Sequence, residues 1–198
     1  MRCEINSYHP TLWRTCRALA NERRLLCLKA ILMQPLITVG EVAVIANIPE
    51  NQASINLRAL QARGLITAQR KSRWTHYLPS ADPLVEHAAL VLAALRKSLI
   101  TERQKERHVI ALLKAFTHSR RLTILSYLQG TPRATTESLV AATHISRPAM
   151  WRHLTVLKKA GFVGDEDEKW SLLCAKTTDP LAKALLSALA PSFARRSE

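Results

Sequence analysis

In the stretch from Pro49 to Ile66, PENQASINLRALQARGLI, apolar residues stand at Ala53, Leu57 and Leu60. Their i, i+4, i+7 spacing forms one stripe of an α-helix. Gly64 then ends the helix where a left-handed residue is wanted, and Leu65-Ile66 reads as the start of a strand. The pattern returns 97 residues later in SRPAMWRHLTVLKKAGFV, Ser146 to Val163, with Met150, Leu154, Leu157 and Gly161 in the same places and Phe162-Val163 after them. The stripe leaves an opposite face free. It carries Asn51, Gln52, Ile55 and Arg58 in the first copy, and Pro148, Ala149, Arg152 and Thr155 in the second.

The flanking pattern is also regular. Leu12 to Ala20 reads as a short helix, and Ala18 to Leu32 carries apolar residues at Leu19, Leu25, Leu28, Ile31 and Leu32. Asn21 is placed to cap the second helix, Glu22 suits its N-terminal dipole, and Pro35 closes it. Thr38 caps a third helix, VGEVAVIA, with Val39, Val42 and Ala46 inward, and Asn47-Ile48-Pro49 makes the turn into the helix described above. After Ile66, TAQRKSRWTHYLPS gives two extended runs around a tip at Arg70, Lys71, Ser72 and Arg73. Three helices followed by a β-hairpin make a winged helix-turn-helix. Asp82-Pro83 is expected to open a further helix, with proline in its first turn. No Gly or Pro then occurs until Gly130, and Thr101-x-x-Gln104 has the form of a capping box, which predicts a break near Ser98 to Thr101.

The second pass keeps its register over the same elements. Arg120-Arg121 falls on Arg23-Arg24, Thr135 on Thr38, Leu139 on Val42, Ile145 on Ile48, and Asp179-Pro180 on Asp82-Pro83, all at the offset of 97. One residue lost in the hairpin brings Trp74 onto Trp170. The chain therefore reads as a tandem duplication. The expected fold is mainly α with small β-hairpin wings: two winged helix-turn-helix domains, residues 1–99 and 100–198, forming a pseudo-dimer.

Charge changes the picture more than composition does. The chain has 198 residues, 47% hydrophobic and 22% charged, but a net charge of +14. Residues 1–97 hold 13 Lys+Arg against 6 Asp+Glu, and the remainder 16 against 9, so each half carries +7. Charge of this size favours a polyanionic partner. The longest apolar run, Ala88 to Leu95, is far short of the ~20 residues of a membrane span, so no membrane partner is expected. The opening residues MRCEINSYHP have no signal-peptide core. Cys3, Cys16, Cys27 and Cys174 lack CxxC spacing, which speaks against a disulfide framework or zinc ribbon and for a cytoplasmic location.

The segments LANERRLLCLKAIL, SINLRALQARGLI and RKSRWTHYL, with FTHSRRLTILSYL and WRHLTVLKKAGFV in the second copy, resemble the ArsR family of bacterial winged-helix repressors. Ser54 and His153 each match half of that family's Ser-x-His-Leu recognition-helix signature, and neither copy keeps both. ArsR-like proteins are homodimers joined through their first and last helices. The resemblance implies that the two copies form a covalent pseudo-dimer through Leu84 to Phe116, with further homodimerisation left open.

Double-stranded DNA is the expected partner. Asn51, Gln52 and Asn56 suit adenine, Arg58 and Arg152 suit guanine or phosphate, and Arg70, Lys71 and Arg73 suit phosphates at the first wing. Ser54, Ile55, Arg147, Ala149, Trp151, His153 and Thr155 complete the candidate DNA-binding set. Trp151 is large for base readout and is expected to pack against the neighbouring helix or to line a pocket or interface. The second wing carries Asp165-Glu166-Asp167-Glu168, which phosphate would repel, so an asymmetric operator dominated by the first half is expected. The family's thiolate metal sites have no counterpart in EVAVIAN, and Asp82, Glu86 and His87 lack a matching His near Asp179 to Leu189. Cys16 and Cys27 fall on the core positions Leu113 and Ile124 and read as buried hydrophobes, leaving a Cys3–Cys16 thiol sensor as the minor reading. No cofactor is expected, and no nucleophile motif or Gly-rich phosphate loop marks an enzyme. The leading reading is a DNA-binding repressor. Its rivals are a protein-interaction scaffold of tandem winged helices, as in the segregation and condensation protein B family, and a regulator whose first repeat binds DNA while the second receives a ligand or partner.

Overall fold

A computed structural model describes residues 10–173 and 178–189. Its elements are helices α1 (Pro10–Leu19) and α2 (Glu22–Met33), strand β1 (Ile37–Thr38), helices α3 (Val39–Ala46) and α4 (Glu50–Gln61), and hairpin strands β2 (Thr67–Lys71) and β3 (Trp74–Leu78). Helix α5 (Ala88–Arg96) runs into a π-helical turn, Lys97–Thr101, and helix α6 (Glu106–Ala115) follows. The second series is α7 (Ser119–Gly130), β4 (Ala134–Thr135), α8 (Thr136–Thr143), α9 (Arg147–Lys159), β5 (Val163–Glu166), β6 (Lys169–Leu172) and α10 (Pro180–Ser187). Two antiparallel three-stranded sheets result, in the orders β1-β3-β2 and β4-β6-β5.

Asn21 and Thr38 cap where the sequence puts them. Asn21 accepts from Arg24 N (3.0 Å) at the start of α2, and Thr38 and Glu41 form a full capping box on α3. In the second series His118 Nδ1 accepts from Arg120 N (3.2 Å) at the start of α7, and Thr135 caps α8 through Ser138 N. Arg24 and Arg121 also act alike. Arg24 Nη1 donates to Ala18 O and Arg121 Nε to Ala115 O, each at 2.8 Å, tying each helix to the one before it. Leu25, Leu28, Val42, Ala53, Leu57 and Leu60 are buried in the first half, and Leu122, Leu125, Leu139, Met150, Leu154 and Leu157 in the second. One continuous apolar core contains both sets. Helix α1 packs on α6 and α5 on α10, and Lys29 Nζ lies 2.5 Å from Glu106 Oε1 between α2 and α6.

Three expectations are corrected. Asp82-Pro83 does not open a helix, because Asp82 Oδ1 accepts from Leu84 N (2.9 Å) in a turn while Asp82 N donates to Gly64 O (2.8 Å). Helix α5 starts only at Ala88, so Leu84, highly exposed, lies outside the helices that join the halves. Nor does Thr101-x-x-Gln104 cap a restart. The π-helical turn continues to Thr101, the break falls after it, and α6 begins at Glu106 after Lys105, with no side-chain cap. The expected 99/100 domain boundary falls inside that π-helical turn.

The hairpins differ by more than one residue. Thr38 and Thr135 keep the offset of 97, but their cross-strand partners His76 and Lys169 are 93 apart. Four residues are therefore missing from the second wing, two per strand, an even number that leaves each side chain on its own face. Trp170 consequently stands in the place of Tyr77, not of Trp74.

Candidate nucleic-acid interface

Helix α4 is held by Ala53, Leu57 and Leu60 and turns its other side outward. Asn51, Ile55 and Arg58 are exposed there, with Gln52 and Ser54 half-buried. Asn51 Oδ1 accepts from Gln52 N (2.7 Å), and Arg58 Nη2 donates to Ser54 Oγ (3.2 Å). Asn56 is different. It is buried, its Nδ2 donating to Gln52 O (2.9 Å), so it leaves the set of residues able to meet a base edge.

At the first wing, Arg70, Lys71 and Arg73 are all exposed at the hairpin tip. Arg70 Nε reaches Ser72 O at 3.4 Å, and the Arg73 guanidinium lies 5.2 Å from the centre of the Trp74 ring. Among the described residues no carboxylate pairs with any of the three. Ser72 has a φ of 56°, which fits the two-residue turn of a hairpin.

Helix α9 presents Arg147, Trp151, Arg152 and Thr155 to solvent and keeps Ala149 buried, so Ala149 also leaves the candidate set. Arg147 Nη2 pairs with Glu137 Oε1 at 2.9 Å, and Thr155 Oγ1 donates to Trp151 O at 2.8 Å. Trp151 packs edge-to-face on Trp170, with ring centres 5.9 Å apart, and so leans on its wing rather than on the neighbouring helix. His153 is half-buried against His118, ring centres 4.7 Å apart. Burial, His118 and the guanidinium groups of Arg121, Arg120 and Arg152 push its pKa down to about 4. Burial and the same two arginines of α7 also lower the pKa of His118. Both rings are thus held neutral beside a cluster of cations.

Three of the four acids of the second wing are paired, by two cations. Lys158 pairs with Asp165, and Arg133 Nη2 lies 3.3 Å from Glu166 Oε2 and 3.9 Å from Asp167 Oδ2. Sequence reasoning missed Arg133, Lys158 and Glu137 as partners. The Arg133–Glu166 pair joins residues 33 apart, and no local periodicity signals such a pair.

Cys16 and Cys27 are buried core residues, and burial raises both thiols, Cys27 to about 11, which removes the thiolate a sensor needs. Cys3 and Cys174 lie outside the described residues. Among the described residues no three His, Cys, Asp or Glu side chains gather as a metal site, and no helix is long and apolar enough to cross a membrane.

The second series of elements also carries a family signature. Residues 118–164 match the family model for bacterial regulatory proteins of the arsR family. The match runs from the His118 cap of α7 through α8 and α9 into β5. It supports an ArsR-type helix-turn-helix, and with it a DNA-binding transcriptional regulator rather than an enzyme. The mainly helical fold with small antiparallel sheets is consistent with a winged helix. No curated protein matches the chain.

Proposed function

We propose that the chain is a DNA-binding repressor built as a duplicated pair of winged helix-turn-helix domains, residues 1–99 and 100–198, that act as a single-chain pseudo-dimer. Repetition of the element order, and the packing of α1 on α6 and α5 on α10, support internal pairing. The observation that carries the functional reading is the difference in charge pairing at the two wings. Arg70, Lys71 and Arg73 have no carboxylate partner among the described residues, whereas Arg133 and Lys158 are spent on the second wing's own acids. Free guanidinium and ammonium groups beside an outward helix can neutralise phosphates and release counterions, and groups already paired contribute less. The first half therefore supplies most of the affinity, and the two halves read an asymmetric site in the cytoplasm.

Footprinting on a selected duplex tests this. An unequal, non-palindromic footprint is expected, and neutralising Arg70, Lys71 and Arg73 should cost far more affinity than neutralising Arg147 and Arg152. Equal losses, or a palindromic site, would contradict it. Sedimentation adds the oligomeric state. One chain of 22.2 kDa fits internal pairing, and two chains would mean that the joining helices are shared between molecules.

One observation favours a second reading, in which only the first repeat binds DNA. Trp151 is 48% exposed beside a wing that stays net acidic after Arg133 and Lys158 are paired, a surface suited to a ligand or protein partner. Retention of the whole footprint by a Trp151→Ala, Arg152→Ala variant would favour it.

A further inference from the structure

The first turns of α4 and α9 carry opposite charges at the same position. Glu50 opens α4, and Arg147, 97 residues on, opens α9. In the second half Arg147 is matched by Glu137 at 2.9 Å. The residue equivalent to Glu137 in the first half is Gly40, and a methyl group there would sit 4.0 Å from Glu50 Oε2. The side chain that could answer Glu50 across the helix pair is therefore missing. Glu50 is exposed, and no hydrogen bond or ion pair reaches its carboxylate among the described residues. It borders an open groove of about 710 Å³ shared with Val44, Asn47 and Pro49.

A lone carboxylate at the leading end of a recognition helix is unfavourable against DNA phosphate unless a donor meets it. In the major groove the N4 amine of cytosine is a donor that pairs with Glu or Asp, and N-terminal residues of the recognition helix are those that reach base edges. We infer that Glu50 is a specificity-determining residue of the first half, accepting a hydrogen bond from the N4 amine of one cytosine and disfavouring guanine and thymine, which offer it no amine donor, and adenine, whose N7 acceptor stands beside its amine. This rests on the proposed DNA-binding function of the first half. Asn51 and Ile55, exposed on the same helix, would read the neighbouring positions, adenine through the amide and a thymine methyl through the isoleucine.

The test is selection of binding sites from a random duplex pool by the full chain and by Glu50→Ala, followed by affinity measurement on the selected duplex. The wild type should fix a cytosine at one position, and Glu50→Ala should lose that preference alone. Replacing this cytosine by thymine, or by N4-methylcytosine to block the amine, should weaken the wild type about tenfold and leave Glu50→Ala unchanged. Selection of the same cytosine by both proteins would overturn the inference while leaving DNA binding intact. If the wild type enriches no sequence and binds no duplex at low salt, the DNA-binding reading falls and this inference with it. Because Glu50 is exposed, an unchanged thermal melt confirms that the variant is folded.

Discussion

The two hairpins stand on the same frame and handle tryptophan and charge in opposite ways. In the first, Trp74 lies near the tip, 54% exposed, beside cations with no acidic partner among the described residues. In the second, Trp170 is 3% exposed, its Nε1 donates to Thr136 Oγ1 at 3.1 Å, and three of the four acids at the tip are paired with Arg133 or Lys158. The long hairpin extends two residues per strand further toward its tip than the short one. Loss of two residues per strand brings an indole into the place of Tyr77, next to β4 and against α7, where it serves the core. The extra strand length of the first hairpin carries its exposed tip cations beyond the part that pairs with β1.

Stability should separate the two hairpins most strongly. Trp170→Ala should cost about 3–5 kcal/mol through the cavity and the hydroxyl left without its donor, whereas Trp74→Ala should stay within about 1 kcal/mol. Urea denaturation of the two variants measures the difference, and similar midpoints would contradict it.

The glycines after α4 and α9 sit in different surroundings. Gly64 and Gly161 both have positive φ, 62° and 76°. A methyl group on Gly64 would meet Asp82 Cβ at 2.7 Å and Val85 Cγ2 at 2.8 Å, while one on Gly161 meets nothing within 4 Å. Gly161→Ala should cost about 1 kcal/mol from backbone strain, and Gly64→Ala about 1–3 kcal/mol more from overpacking. Equal thermal shifts would argue against the close docking of the Asp82–Val85 turn.

A smaller effect is expected from pH. His153 titrates near 4 when folded against an ordinary 6.5, so between these values the unfolded chain binds more protons than the folded one. This contribution lowers stability as pH falls from about 6.5 toward 4, and it changes no further below that range. His153→Asn, the residue standing at position 56 in the first half, should flatten the dependence of melting temperature on pH across that window. An unchanged profile would show that the ring is not held neutral by its neighbours.

Much of this architecture is legible in the sequence because it is local. The helix stripes, the caps at Asn21, Thr38 and Thr135, and the glycines after α4 and α9 are set by spacing within a few residues. What sequence reasoning misses depends on distant partners. Asp82-Pro83 looks like a helix start until Gly64 O takes the Asp82 amide and the Asp82 side chain caps a turn instead. Asn56 and Ala149 lie at the edge of the apolar stripe, where a few degrees of helix rotation decide burial. The pairing of the second wing's acids with Arg133 is hidden in the sequence because nothing near them announces that residue.

The proposed function requires that the free cations of the first wing bind DNA phosphate. Fluorescence anisotropy on mixed duplex DNA across a salt series measures this, comparing the wild type with Arg70, Lys71 and Arg73 all changed to Ala. A steep fall of log K with log salt is expected for the wild type. The slope should be shallower by about 2.7 in the variant, about 0.9 for each phosphate no longer neutralised. Identical slopes, or no binding by the wild type even at low salt, would contradict it.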